Sequence, residues 1–284
     1  MMRNSTNYHT HISSEHRLLE LNLREVWQYR DLILLFTRRN FTLTYKQTIL
    51  GPAWLFLNPL ISSMIYAFLF GGIAGLGTDG IPKVLFYLSS SAIWNFFAGC
   101  MTSNANTFAA NAHLFGKVYF PRLTVPISNV LSALIRFGIQ MLLVMGILLW
   151  HVFTGGVSPN WGAWLLLPGI LLHLGLLGMG CGIIISSLTT KYRDLAVLVS
   201  FGTQLWMYAT PIVYTLSDLG AEGMRRALLA NPVTAPVELF RNAVLGQGAI
   251  LPEYLALSWA ITAVVLILGV ILFNRVEKTF LDTV

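Results

Sequence analysis

Charge is what this 284-residue sequence has least of. Asp, Glu, Lys and Arg make up 11% of it, against 55% hydrophobic residues. A soluble domain carries about 25% charged residues, and so sparse a set cannot cover a water-exposed surface of this size. A mean hydropathy of +0.67 points the same way. Soluble, disordered and disulfide-scaffold classes are excluded, and the chain reads as an integral membrane protein. Cysteine is scarce too: Cys100 and Cys181 lie far apart inside apolar runs without CxxC or Cys/His spacing, so they read as buried thiols. GxxxxGKS/T, GxSxG and HExxH patterns are absent, which excludes an ATPase loop, a nucleophile elbow or a zinc helix in those forms. His113, His151 and His173 are too scattered to suggest a metal site and are expected at membrane edges. The polar first 19 residues lack an apolar h-region, so a cleaved signal peptide is not expected.

What is present is long charge-free sequence. A helix needs about 20 apolar residues to cross the hydrocarbon core, and six stretches qualify, near 52–76, 86–108, 123–153, 161–190, 195–215 and 254–273. They predict an all-α polytopic membrane protein with a six-span domain over 51–275. A polar tail (1–16) and an interfacial region (17–50) precede it, and a short tail (276–284) follows. Six spans put both termini on one side. That side carries thirteen of the eighteen Lys/Arg, the opposite loops only Lys83, Arg225, Arg226 and Arg241. Basic residues concentrate on the cytoplasmic side, so both termini are predicted to be cytoplasmic. The net charge of +6 is then mostly topology and gives little support for nucleic-acid binding. None of the twelve acids lies within a span, and only Arg136 interrupts the hydrocarbon region. A proton-coupled carrier places ionisable groups there, so the energy for any transport is expected from another protein.

Three elements are not spans. In 17–36, Arg17, Glu20, Arg24, Gln28 and Asp31 oppose an apolar stripe of Leu19, Leu23, Val26, Tyr29 and Ile33. That spacing predicts an amphipathic helix on the cytoplasmic membrane surface. The 109–122 loop predicts a short cytoplasmic helix ended by Pro121. The 37-residue outer segment 216–252 is too long and too apolar for a bare loop and predicts two short re-entrant helices. No internal repeat is evident, which counts against an inverted-repeat carrier.

Polar residues form stripes on two spans. On the second, Ser91, Asn95, Thr102 and Asn106 share a face; on the third, Asn129, Ser132, Arg136 and Gln140 do. Two readings fit: a pathway wall offering neutral hydrogen bonds to a hydroxyl-rich solute, or glue between packed helices. Arg136 lies about 13 residues from the cytoplasmic end of its span, roughly 20 Å at 1.5 Å per residue. It should therefore face the bundle interior or reach a head group. Gly71/Gly75 and Gly178/Gly182 are GxxxG pairs that suggest close helix contact. Trp54, Trp150, Trp161, Trp164 and Trp259 fall near span ends as an interfacial belt. Trp94, Phe96, Phe97, Trp206 and Tyr208 lie deeper, as channel aromatics or as ordinary packing.

The stretch 29–60, YRDLILLFTRRNFTLTYKQTILGPAWLFLNPL, resembles the N-terminal segment of polysaccharide-export permeases. These are membrane subunits of ATP-binding-cassette transporters of the type-2 exporter class. KYRDL (191–195), TPIVYTLSDL (210–219) and NPVTAPVELFRNAVLG (231–246) extend the match in consistent order over about 25–284. The resemblance implies six spans behind an interfacial helix that continues through Tyr45, with re-entrant gate helices in 216–252. It implies a homodimeric channel in the bacterial inner membrane, driven by two cytoplasmic ATPase subunits that bind the ATP and Mg. The cargo it implies is a polyprenyl-pyrophosphate-linked glycan such as O-antigen, capsule or teichoic acid. The ATPase would dock on the 111–122 loop (Asn111, Lys117, Arg122), with Lys191, Arg193 and Asp194 nearby. Arg38, Arg39 and Lys46 are candidates for receiving the anionic head group, or bind ordinary anionic lipids. Ser91, Asn95, Asn106, Ser132, Arg136, Gln140, Trp94, Trp206 and Tyr208 are the candidate channel lining. A sister permease for a drug or small lipid, and a membrane-embedded glycosyl- or acyltransferase, are the alternatives. The latter would require clustered Asp, Glu or His that the spans lack.

Overall fold

The computed structural model describes residues 23–46, 49–115, 117–189 and 194–283, and among them the ordered elements are all helical. In chain order the α-helices are α1 (Leu23–Gln28), α2 (Arg30–Tyr45), α3 (Trp54–Phe68), α4 (Lys83–Ala105), α5 (Thr107–Phe115), α6 (Thr124–Phe153), α7 (Leu167–Thr189), α8 (Leu195–Tyr208), α9 (Glu222–Leu229), α10 (Thr234–Leu245) and α11 (Pro252–Thr283). Short 3-10 or π turns extend α3 and α7. Among the described residues, five stretches are long and apolar enough to cross a membrane: Gly51–Ile73, Lys83–Ala105, Thr124–Phe153, Trp161–Thr189 and Pro252–Val276.

The remaining predicted span, 195–215, is helical only as α8. Its 14 residues make about 21 Å at 1.5 Å per residue, short of the roughly 30 Å hydrocarbon core. Pro211 accounts for the stop, because it lacks an N–H and bars the helical conformation to the residue before it. The chain instead turns, with the Ile212 amide donating to Thr210 O at 2.7 Å.

The bundle is built around α4. Most of its residues are buried, and α3, α6, α7, α8 and α10 all pack on it. Glycine permits the closest of these contacts. Gly175, Gly178 and Gly182 form one face of α7, and a Cβ on Gly182 would stand 2.5 Å from Asn104 Cβ and 2.5 Å from Met101 O. A Cβ on Gly178 would stand 2.8 Å from Cys100 Cβ. The second GxxxG pair behaves as its spacing suggests; the first does not. Gly71 lies in a π turn (Leu69–Ile73) whose carbonyl accepts from Lys83 Nζ at 2.6 Å, and Gly75 (φ +68°) has no heavy atom near its missing Cβ.

At the end that carries α2 and α5, the amphipathic pattern is realised by α1 and α2. Val26, Ile33 and Phe36 are buried, while Trp27, Leu34 and Leu35 face outward. Arg17, Leu19 and Glu20 lie outside the described residues. α2 lies along the start of α6, where Thr37 Oγ1 donates to Ser128 O at 3.4 Å and Ser132 Oγ to Thr37 O at 3.3 Å. α4 gives way to α5 at Asn106, so the second span ends at Ala105 rather than near 108. α5 stops at Phe115, well before Pro121, so the proline is not what ends it.

At the opposite end the outer segment does contain two helices, of contrasting character. α9 is exposed, with an Arg226–Glu222 pair on its surface. α10 is sunk between α4, α7 and α11, with eleven of its twelve residues buried. Asn231 moors its start: Oδ1 accepts from Trp206 Nε1 and the Val233 amide (3.1 Å each), and Nδ2 donates to Ala209 O at 2.8 Å. Gly246 ends α10 in the left-handed region (φ +71°), against Ser158 O, where no Cβ would fit.

The glycine face of α7 carries a direct prediction. Gly182→Leu should destabilise the detergent-solubilised protein by about 2 kcal/mol or more, whereas Gly138→Leu, at an open position, should stay within about 0.5 kcal/mol. Thermal unfolding checks it, and equal effects would contradict the packing described.

Candidate functional site

Two cavities share Arg136. The larger, about 480 Å³, lies between α2, α5 and α6 and includes Arg39, Asn40, Asn111, His113, Asn129 and Ser132. The smaller, about 210 Å³, lies between α3, α4 and α6 and includes Trp54, Asn58, Ser62, Asn95 and Gln140. Among the described residues, no carboxylate lines either of them. The cleft is thus basic and otherwise neutral.

Arg136 lies shallower than its position along α6 suggests. The 30 residues of α6 make about 45 Å, longer than the hydrocarbon core is thick, so one end projects. Ser132, one turn before Arg136, touches the interfacial helix α2. Arg136 itself shares its cavity with Trp54 and Asn58 from the first two turns of α3. Arg136 thus stands at the end of the bundle where α2 meets α6 and α3 begins.

An amide network crosses the larger cavity. Arg39 Nη2 donates to Asn111 Oδ1 at 3.3 Å and to Asn40 Oδ1 at 3.2 Å, with its guanidinium 4.7 Å from the Phe36 ring centre. Asn40 Nδ2 donates to Asn129 Oδ1 at 3.0 Å, and Asn129 Nδ2 donates to Asn104 Oδ1 and Ser103 O at 3.2 Å each. Asn111 Nδ2 closes on Thr107 O at 3.0 Å. Four helices, α2, α4, α5 and α6, are tied together by neutral hydrogen bonds plus one guanidinium. Residues predicted for separate roles, Arg39 for the head group and Asn111 for ATPase docking, are direct partners.

The polar stripes divide by whether their groups are already used. Ser91 is buried and donates to Leu88 O, Ser132 to Ser128 O and Thr37 O, and Asn106 Nδ2 to Thr102 O at 3.1 Å. Asn95, Arg136 and Gln140 have no hydrogen-bond or ion-pair partner among the described residues, nor has Asn58 beside them. Of the deeper aromatics, Trp94 is buried against Phe97 (5.5 Å between ring centres) and Trp206 meets the same ring edge-on at 5.2 Å. Tyr208 is exposed, 6.5 Å from the Phe70 ring.

Around the docking loop, Lys117 is exposed and the Arg122 guanidinium lies 5.4 Å from the Phe115 ring centre. Phe36, Phe108, Phe115, Phe120 and Phe273 form one apolar cluster that joins α2, α5, the following loop and α11. Arg38 and Lys46 are exposed, and Asp194 is exposed just before α8. Lys191 and Arg193 lie outside the described residues. His173 corrects the membrane-edge expectation. It is buried twelve residues into the span Trp161–Thr189, stacked on Trp259 at 4.1 Å and bonded to Ser258 and Thr262 at 3.0 Å each.

One pair escaped the sequence reading, which counted Arg241 as an outer-loop charge. Arg241 and Glu238, one turn apart on α10, are 2% exposed each and 2.5 Å apart. Arg241 also donates to Pro211 O and Ser90 Oγ and lies 4.6 Å from the Phe86 ring centre, while Glu238 Oε2 accepts from the Ala249 amide at 3.1 Å. The pair clamps α10 to α4, to the turn after α8 and to the loop before α11. An acid and a base three residues apart inside NPVTAPVELFRNAVLG was the available signal.

An all-helical bundle whose described residues include five helices long and apolar enough to cross a membrane is the architecture of a polytopic membrane protein. The ABC-2 type transporter family matches residues 31–245, and the chain belongs to that family. It is similar to two O-antigen export system permease proteins RfbA of Klebsiella pneumoniae. One is 31% identical over 261 residues (89% of this chain, 94% of the relative), the other 29% identical over 257 residues with the same coverage. A protein of the same name from Myxococcus xanthus is 29% identical over 217 residues, 75% of this chain and 80% of the relative.

Removing one partner of the α10 clamp leaves a buried charge. Arg241→Met should therefore cost about 3–5 kcal/mol, and the double variant Glu238→Gln/Arg241→Met should recover most of it. Thermal unfolding in detergent tests this; a single variant as stable as the parent would contradict the clamp.

Proposed function

We propose that the chain is the permease subunit of an ABC exporter carrying a lipid-linked polysaccharide, of O-antigen, capsule or teichoic acid type, across the bacterial cytoplasmic membrane. The observation that carries the reading is the cleft beside α2, which Arg39 and Arg136 line with no carboxylate among the described residues. Guanidinium is suited to phosphate because its fork of donors matches the oxyanion geometry. The names of the relatives agree with this cargo.

In this reading both termini are cytoplasmic, and α8 with the turn that follows it makes the sixth crossing. α9 and α10 are the re-entrant pair on the outer side. Two copies of the chain enclose the conduit, and two ATPase subunits bind ATP and Mg beneath it. The ATPases dock on α5 and the residues after it, Asn111, Lys117 and Arg122, flanked by Lys191, Arg193 and Asp194. Arg38 and Lys46 draw the head group towards Arg39. Because Arg39 bonds Asn111 directly, a shift of α5 on nucleotide binding reaches the cargo site through one hydrogen bond. Neutral groups along the second and third spans then give weak, repeated contacts along which a polymer slides.

Depleting the protein in its native cell tests the proposal. A polyprenyl-linked polymer should accumulate on the cytoplasmic side while surface glycan falls; no accumulation and unchanged surface glycan would overturn it.

A further inference from the structure

We infer that the smaller cavity, between α3, α4 and α6, is a sugar-reading subsite: it holds the first sugar of the cargo while Arg136 holds the adjoining phosphate. The inference rests on the reading of the cargo as a lipid-linked glycan.

The smaller cavity is lined by unused hydrogen-bonding capacity. Asn58, Asn95 and Gln140 come from three different helices and converge on one cavity without a partner among the described residues. Elsewhere in the bundle amides are spent, as Asn104 is on Cys100 O and Asn111 on Thr107 O. Asn58 and Asn95 are exposed and Gln140 is half-buried, so their donors and acceptors are open to an occupant that hydrogen-bonds to all three. An amide offers both donors and an acceptor, which suits neutral hydroxyl or acetamido groups and asks for no charge on the sugar. Trp54 adds a flat apolar wall against which the C–H face of a ring can lie. Because both cavities share Arg136, the geometry also sets an order, with phosphate at the junction, sugar on the α3 side and the second phosphate towards Arg39.

The test uses the complete transporter, permease with its ATPase partner, reconstituted in nanodiscs. ATP hydrolysis is followed against polyprenyl pyrophosphate bearing no sugar and against the same lipid bearing one N-acetylated hexosamine. The parent protein should respond to the glycosylated lipid at about tenfold lower concentration, the worth of one or two neutral hydrogen bonds. Asn95→Leu/Gln140→Leu should make the two lipids equivalent, and so should Asn58→Leu, a single change at an exposed position that guards against misfolding of the double variant. Arg136→Gln should weaken the response to both lipids and keep their ratio. If the parent shows no preference, or the leucine variants retain it, the subsite is wrong while the cargo reading stands. If neither lipid stimulates a transporter that hydrolyses ATP, the cargo reading falls and the subsite with it.

Discussion

A charge placed in hydrocarbon costs about 3 kcal/mol or more unless it is paired, capped by backbone or close enough to the surface to reach water. This chain keeps few charges and disposes of them in those three ways. Arg241 is matched by Glu238 and surrounded by Pro211 O, Ser90 and the face of Phe86. Lys83 rests its ammonium on the carbonyl of Gly71. Arg39 and Arg136 line the open cleft beside α2. The first two arrangements hold together the end of the bundle around α10 and the start of α4, and the third leaves a positive site open at the end that carries α2.

The neutral part of the structure follows from the same constraint. With few ion pairs available, helices are held by close packing and by amides. The glycine face of α7 lets α4 approach until backbone meets backbone, which fixes α4 as the axis. Asn104 and Asn129 then link that axis to α6 and α2, and Arg39 carries the link to Asn111 on α5. The basic cleft and α5, the proposed cargo and ATPase sites, are thereby joined through side chains that also hold the bundle together.

Much of this was legible in the sequence and some was not, for identifiable reasons. Five spans follow from charge-free length, and α2 from the three- and four-residue spacing of Val26, Ile33 and their polar counterparts. The Gly178/Gly182 pair marked a true contact because α4 offers a packed face opposite it, whereas Gly71/Gly75 falls where the helix ends. The 195–215 stretch has a span's composition, but Pro211 stops the helix at 14 residues. Arg241 was misjudged because charge was taken to mean exposure, although its i−3 glutamate was in view. Periodicity placed Asn95, Asn106 and Asn129 on faces; it could not say which amides their own helices would consume. Arg39 and Asn111, 72 residues apart, meet because α2 packs along α6, a tertiary contact that no local spacing encodes.

The proposed function turns on the cleft at Arg39 and Arg136 receiving the anionic head of a lipid-linked glycan. Photocrosslinking measures it most directly, with a photoreactive residue at Leu43 on the cleft wall, the complete transporter in native membranes and its ATPase inactivated. Labelling of the lipid-linked glycan from Leu43 that disappears in Arg39→Gln/Arg136→Gln is the predicted result. Labelling that survives loss of both guanidinia, or that arises only from a lipid-facing control such as Leu142, would contradict it.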